Sequence, residues 1–126
     1  MNPLAIACAA LAINSAPFTP TMTSTGHTPK VNTKWGYSIK VVDPAGKPIA
    51  ATISAVVIDP VGGIHPVHLA GVGSTPGKVL TNYAIRGTLS NSVVWPVTAR
   101  GYPLTFRVIV RAAGAKRTIK YTVTPR

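Results

Sequence analysis

Apolar and polar residues alternate through long stretches of this chain. In K-W-G-Y-S-I-K-V-V-D (34–43), Trp35, Tyr37, Ile39 and Val41 alternate with Lys34, Gly36, Ser38 and Lys40. A period of two predicts a half-buried strand. A-A-T-I-S-A-V-V-I-D (50–59) has the same character. I-H-P-V-H-L-A (64–70) predicts a short edge strand, because Pro66 has no N–H to give to a central ladder. V-L-T-N-Y-A-I-R-G-T-L-S-N-S-V-V-W (79–95) predicts one or two strands, broken near Arg86-Gly87. In L-T-F-R-V-I-V-R-A (104–112), Leu104, Phe106, Val108 and Val110 face one way and Thr105, Arg107, Ile109 and Arg111 the other. R-T-I-K-Y-T-V-T (117–124) returns with Ile119, Tyr121 and Val123 inward, which makes a hairpin with A-G-A-K as its turn.

These segments add up to about seven strands at short spacing, with no helical period inside the domain. That pattern predicts an all-β antiparallel sandwich over residues 34–126, with a closed small barrel as the alternative. Trp35 or Trp95 is expected to fill the core between the sheets. Residues 71–78 and 96–103 are expected to be loops. The G-V-G-S-T-P-G-K of 71–78 lacks the spacing of a phosphate-binding loop.

Glutamate is absent, and the two acidic residues are Asp43 and Asp59. Each precedes a proline: D-P-A-G (43–46) and D-P-V-G-G (59–63). An Asp carboxylate accepts backbone N–H bonds, Pro presets φ, and Gly supplies positive φ. Both acids are therefore expected to build turns, and no catalytic carboxylate pair is left over. No G-x-S-x-G elbow occurs either. No catalytic residue is assigned, and the chain is not expected to be an enzyme.

Y-S-I-K-V-V-D-P-A-G-K-P-I-A-A-T-I-S-A-V-V-I-D (37–59) resembles the first two strands of small bacterial immunoglobulin-like domains found outside the cytoplasm. They share a V-x-D-x-x-G-x-P turn followed by a small residue and a β-branched strand. The resemblance implies an immunoglobulin-like β-sandwich in an extracytoplasmic compartment, secreted, periplasmic or in the cell envelope. In outline the chain also resembles periplasmic copper-binding sandwiches. Those place a His at the mature N-terminus, a place that His27 does not occupy.

The opening residues agree with export. Leu4 to Ile13 is an apolar run, shorter than the roughly 20 residues of a membrane-spanning helix. It suits the hydrophobic region of a signal peptide within residues 1–16, with cleavage after Ala12 or Ala16. The basic n-region is missing, because no Lys or Arg precedes Lys30. The alternative is an apolar arm that docks on another chain. Residues 17–33 are rich in Pro and Thr and are expected to form a flexible or extended arm. Cys8 is the single cysteine, which excludes an intrachain disulfide.

Charge changes the picture most. Thirteen Lys and Arg against two Asp give a net +11. Residues 64–126 carry nine of the cations and no acid. A field of that sign favours polyanions, anionic lipid head groups or acidic proteins. Arg107, Arg111 and Lys120 are expected on the outward face of the last hairpin, with Lys116 and Arg117 at its turn. This group is the candidate anion- or partner-binding site. No aromatic residue accompanies it as a base-stacking platform, so a cytosolic nucleic-acid binder is an alternative only.

A second candidate is a metal site. His65 and His68 in I-H-P-V-H, with His27 and Met22 from the arm, can be drawn as a copper or zinc centre. No other cofactor is implied. The sequence thus predicts a non-enzymatic, exported module that binds an acidic envelope component or partner protein, with peripheral membrane contact as one form of this. Copper handling through His27, His65 and His68 is the alternative.

Overall fold

A computed structural model describes residues 18–70 and 77–126. The expected leader (1–16), Cys8 and most of the 71–78 loop lie outside the described residues. Eight strands occur among those described: β1 (Thr19–Ser24), β2 (Lys34–Val42), β3 (Ala50–Ile58), β4 (Ile64–Pro66), β5 (Tyr83–Arg86), β6 (Thr88–Val94), β7 (Leu104–Ala112) and β8 (Ala115–Val123). They form an all-β antiparallel sandwich. One sheet has the order β1-β2-β6; the other runs β4-β3-β7-β8, with β5 also paired to β3.

Alternation along the strands builds the core. Trp35, Tyr37, Ile39 and Val41 of β2 are buried against Ile53, Ala55 and Val57 of β3 and Phe106, Val108 and Val110 of β7. Trp35 and Trp95 both occupy the space between the sheets. Trp35 stands edge-on to Trp95 and Phe106, each with ring centroids 5.5 Å away, and 6.0 Å from Tyr121. Its Nε1–H donates to the Gly26 carbonyl at 2.9 Å. Burying a Trp removes roughly 200 Å² from water, on the order of 5 kcal/mol as an upper bound.

Both Asp-Pro segments are turns, as expected. Asp43 Oδ1 accepts the N–H groups of Ala45 and Lys47, both at 2.9 Å. Asp59 Oδ1 accepts those of Val61 at 3.0 Å and Gly63 at 2.8 Å. Residues 79–95 hold two strands that belong to different sheets. Gly87, at φ +80°, carries the chain from one sheet to the other. A Cβ there would lie 2.6 Å from Cβ of Pro48, so the crossing requires glycine. The hairpin turn is the pair Ala113-Gly114, with φ of 50° and 75°. Positive φ at both central residues matches the twist of a two-residue hairpin.

One expectation is corrected. Residues 18–33 do not form a free arm: an extended stretch is followed by bends and a turn at Asn32. Thr19–Ser24 pairs along β2 as β1, which raises the strand number from about seven to eight. Pro20 is tolerated because β1 is an edge strand. Phe18 is buried, and the Arg117 guanidinium lies 5.7 Å from its ring centroid. Beyond β1, Thr124 N–H donates to the His27 carbonyl at 2.7 Å and Arg126 N–H to Pro29 at 2.9 Å. The C-terminal residues thus clamp this segment to the domain.

This docking has a measurable consequence. Phe18→Ala is expected to lower the unfolding free energy by about 3 kcal/mol in urea titration. Thr21→Ala, an exposed change in β1, is expected to stay within about 0.5 kcal/mol. Equal small losses in both would mean that the segment does not contribute to the fold.

Candidate functional site

Register across β7 and β8 decides where the candidate cations point. Arg107 pairs with Lys120 and Arg111 with Lys116, and all four lie on the outer face of the five-stranded sheet. Val56 of β3 lies beside Arg107, and Thr52 beside Arg111. The row between them is Ser54, Ile109 and Thr118. The two cation pairs are four residues apart along β7, or about 13 Å. Arg86 of β5 extends the same face, opposite Ala50. Sequence reading passed over Arg86, because its strand pairs with β3 and not with the hairpin.

Arg117 and Lys116 are placed differently from expectation. The turn is only two residues long, so both lie inside β8. Lys116 joins the outer face. Arg117 pairs with Val110 and shares the inward parity of Ile119 and Tyr121. Its guanidinium covers Phe18 and donates to the Lys116 carbonyl at 2.8 Å. It is therefore removed from the outer-face group. The signal was available in parity: Lys116, Thr118 and Lys120 alternate with Arg117, Ile119 and Tyr121.

The outer-face cations have little to neutralise them. Among the described residues no Lys or Arg is in an ion pair; the one ionic contact joins His65 to Asp59. Arg111 Nη1 reaches Asn82 Oδ1 at 3.4 Å. The buried Nε of Arg107 has no acceptor. Like charges directly opposite each other cost roughly 0.2–1 kcal/mol per pair. No aromatic ring lies between the pairs, so the face offers charge without a stacking surface.

The three histidines are not gathered. His27 stacks on Tyr121 with centroids 4.0 Å apart and planes within 6°, and its Nδ1–H donates to the Thr122 carbonyl at 2.6 Å. His65 Nε2–H donates to Asp59 Oδ2 at 2.9 Å. His68 is exposed in an isolated bridge to Val79. Among the described residues no three His, Cys, Asp or Glu side chains form a metal-holding group. His27, His65 and His68 thus do not assemble the copper or zinc centre drawn from sequence. The His27 and His65 side chains are each engaged locally by a hydrogen bond.

Asp59 is the perturbed carboxyl group. The His65 hydrogen bond holds it below the ordinary carboxylate range, helped by the Gly63 and Val61 N–H groups and the nearby imidazole charge, against a smaller desolvation effect. As pH falls, the unfolded chain takes up this proton before the folded one does. The stabilisation is therefore complete above the ordinary carboxylate value and is lost as pH falls through the lower, folded value. The urea midpoint is expected to drop across that acid window. In Asp59→Asn the drop is expected to flatten; an unchanged slope would dissociate this carboxylate from stability.

No family model matches the chain, and no curated protein matches it. Among solved structures it is similar to a DUF4466 family protein from Parabacteroides merdae, with a TM-score of 0.44 and 17% identity over 88% of this chain and 44% of that one. The chain thus spans less than half the length of that protein.

Proposed function

We propose that this chain is a non-enzymatic, immunoglobulin-like module that works outside the cytoplasm and holds an acidic envelope polymer on the outer face of its five-stranded sheet. One observation carries the reading: two cross-strand pairs of cations, Arg107–Lys120 and Arg111–Lys116, without an ion-pairing acid. Each pair repels itself in the free protein. An anionic chain laid along β7 would meet a pair, cross the neutral row at Ile109, and meet the second pair. Its charge would relieve the repulsion that the fold leaves in place. The absence of rings on this face favours a flexible polyanion over single-stranded nucleic acid. The immunoglobulin-like part of the reading rests on the V-x-D-x-x-G-x-P turn and the two-sheet architecture; the compartment rests on the apolar opening residues.

Titration with purified lipoteichoic acid tests this proposal. Binding is expected to weaken steeply as salt rises past about 0.15 M, where screening acts within roughly 8 Å. Replacing Arg107 and Lys120 together by Gln is expected to weaken it about thirtyfold, taking about 1 kcal/mol for each cation at an anionic surface. Lys34→Gln with Lys40→Gln, on the other sheet, is expected to change it little. Binding that ignores salt, or that falls equally in both double variants, would overturn the assignment to this face. Tighter salt-dependent binding to polyglutamate than to the phosphate polymer would transfer the site to an acidic protein partner.

A further inference from the structure

The two Asp-Pro turns provide an internal comparison. D-P-A-G-K (43–47) and D-P-V-G-G (59–63) hold their backbones in the same way, with one carboxylate oxygen accepting two N–H groups. The second turn has three features that this geometry does not require. Val61 replaces Ala45 and is 93% exposed. Gly63 replaces Lys47, and a Cβ at Gly63 would collide with the Asp59 carboxylate. The other oxygen of Asp59 accepts a hydrogen bond from His65.

This second turn forms one wall of a groove of about 570 Å³ at the end of the sandwich. Val57, Val61 and Pro66 line it together with Val94, Trp95 and Tyr102. The volume is within the usual range for small-molecule sites, roughly 300–1,000 Å³. The apolar exposure of the domain collects here. Among the described residues the exposed large hydrophobic side chains are Val61, Ile64, Val79, Val94, Val97 and Tyr102. Three of them line the groove, and Ile64 and Val97 adjoin lining residues in sequence. Such concentration marks a binding surface, whereas scattered exposure does not.

Charge narrows the occupant. The chain has thirteen Lys and Arg, yet none lines this groove. Its ionic groups are Asp59 and His65, bonded to each other. An anion would meet no Lys or Arg here and would face the carboxylate. Asp59 retains acceptor capacity after its three bonds, since a carboxylate offers about four lone-pair positions. The wall is therefore mainly apolar, with Asp59 as its one carboxylate acceptor beside the hydroxyl groups of Thr98 and Tyr102.

We infer that this groove is a second binding site, for a small ligand with an aromatic or branched apolar body and one hydrogen-bond-donating group. The body fills the space between Val61 and Tyr102, and the donor is directed to Asp59, which the turn and His65 hold in place. The site is chemically opposite to the basic face and does not depend on it.

N-phenyl-1-naphthylamine is a suitable probe: uncharged, aromatic, with a single N–H, and fluorescent in apolar surroundings. Its fluorescence is expected to rise saturably with the intact protein and to be indifferent to salt. Val61→Asp and Val94→Asp, both at exposed positions, are expected to raise the Kd about tenfold by placing a charge in the apolar wall. Circular dichroism and thermal midpoints are the check that these variants fold. The Gln variant of Arg107 and Lys120 is expected to bind the probe as the native chain does. 1-Phenylnaphthalene, which lacks the N–H, is expected to compete more weakly. No saturable signal, or equal signals in the groove variants, overturns the site; equal competition by 1-phenylnaphthalene overturns the donor-bearing ligand class. Probe binding without lipoteichoic acid binding keeps this site and discards the basic-face reading, and the reverse result does the opposite.

Discussion

The seating of Trp35 holds the separate parts of this structure together. Its ring belongs to the three-stranded sheet, yet it packs on Phe106 and Tyr121 of the five-stranded one. It also meets Trp95, which begins the loop after β6. Its one polar atom is bonded to Gly26, in the segment that leads from β1 to β2. The Trp35 indole N–H is satisfied by a backbone carbonyl from the N-terminal segment, whereas that of Trp95 has no partner. One side chain thus fixes the spacing between the sheets and the path of residues 25–33. Ser24, His27 and Tyr121 extend the contact, with Ser24 Oγ–H donating to the Tyr121 hydroxyl at 2.8 Å.

Much of the fold was legible because strands with one buried face must alternate. Trp35 to Val41 and Leu104 to Val110 display this, and both proved to be core strands. The turns were legible because Asp-Pro with a following Gly has few other backbone solutions. β1 was not legible, for a physical reason. Its inward positions are Pro20, Met22 and Ser24, which give no apolar period. What docks it lies far away in sequence: Phe18 needs Arg117, and the following segment needs Trp35 and residues 124–126. No local pattern encodes such pairings. The switch between sheets at Gly87 was only half visible. The glycine marked a break, but a break does not say which partner each strand takes.

The candidate site divides in the same way. Outward cations on β7 could be read from parity alone. On β8 the parity was just as clear, but the turn length was misjudged, so Arg117 and Lys116 were assigned to the turn. A two-residue turn places Lys116 opposite Arg111 and puts Arg117 on the inner side. The histidine cluster drawn from I-H-P-V-H failed for a different reason. Spacing within a strand says nothing about the side chains that arrive from elsewhere. Asp59 took His65 and Tyr121 took His27.

The two outer faces show what the alternating pattern leaves free to vary. On the three-stranded sheet, the outward positions of β2 set Lys34 and Lys40 against Val94 and Thr88, and Ser38 and Ser90 bond across β2 and β6 at 2.8 Å. The serine pair is satisfied within the fold, and no cation faces another across these two strands. On the five-stranded sheet, the equivalent outward positions set Arg against Lys with no acid nearby to answer them. The same hairpin tolerates this because its other face is anchored. Phe106, Val108 and Val110 are fully buried. Each such side chain contributes on the order of 2 kcal/mol by burial, more than a cross-strand repulsion of at most about 1 kcal/mol removes. Inner-face packing therefore sets the register, and that register holds the outer cations opposite one another whatever their own preference. Charge on this face is a property the core imposes, and a ligand meets it already in place.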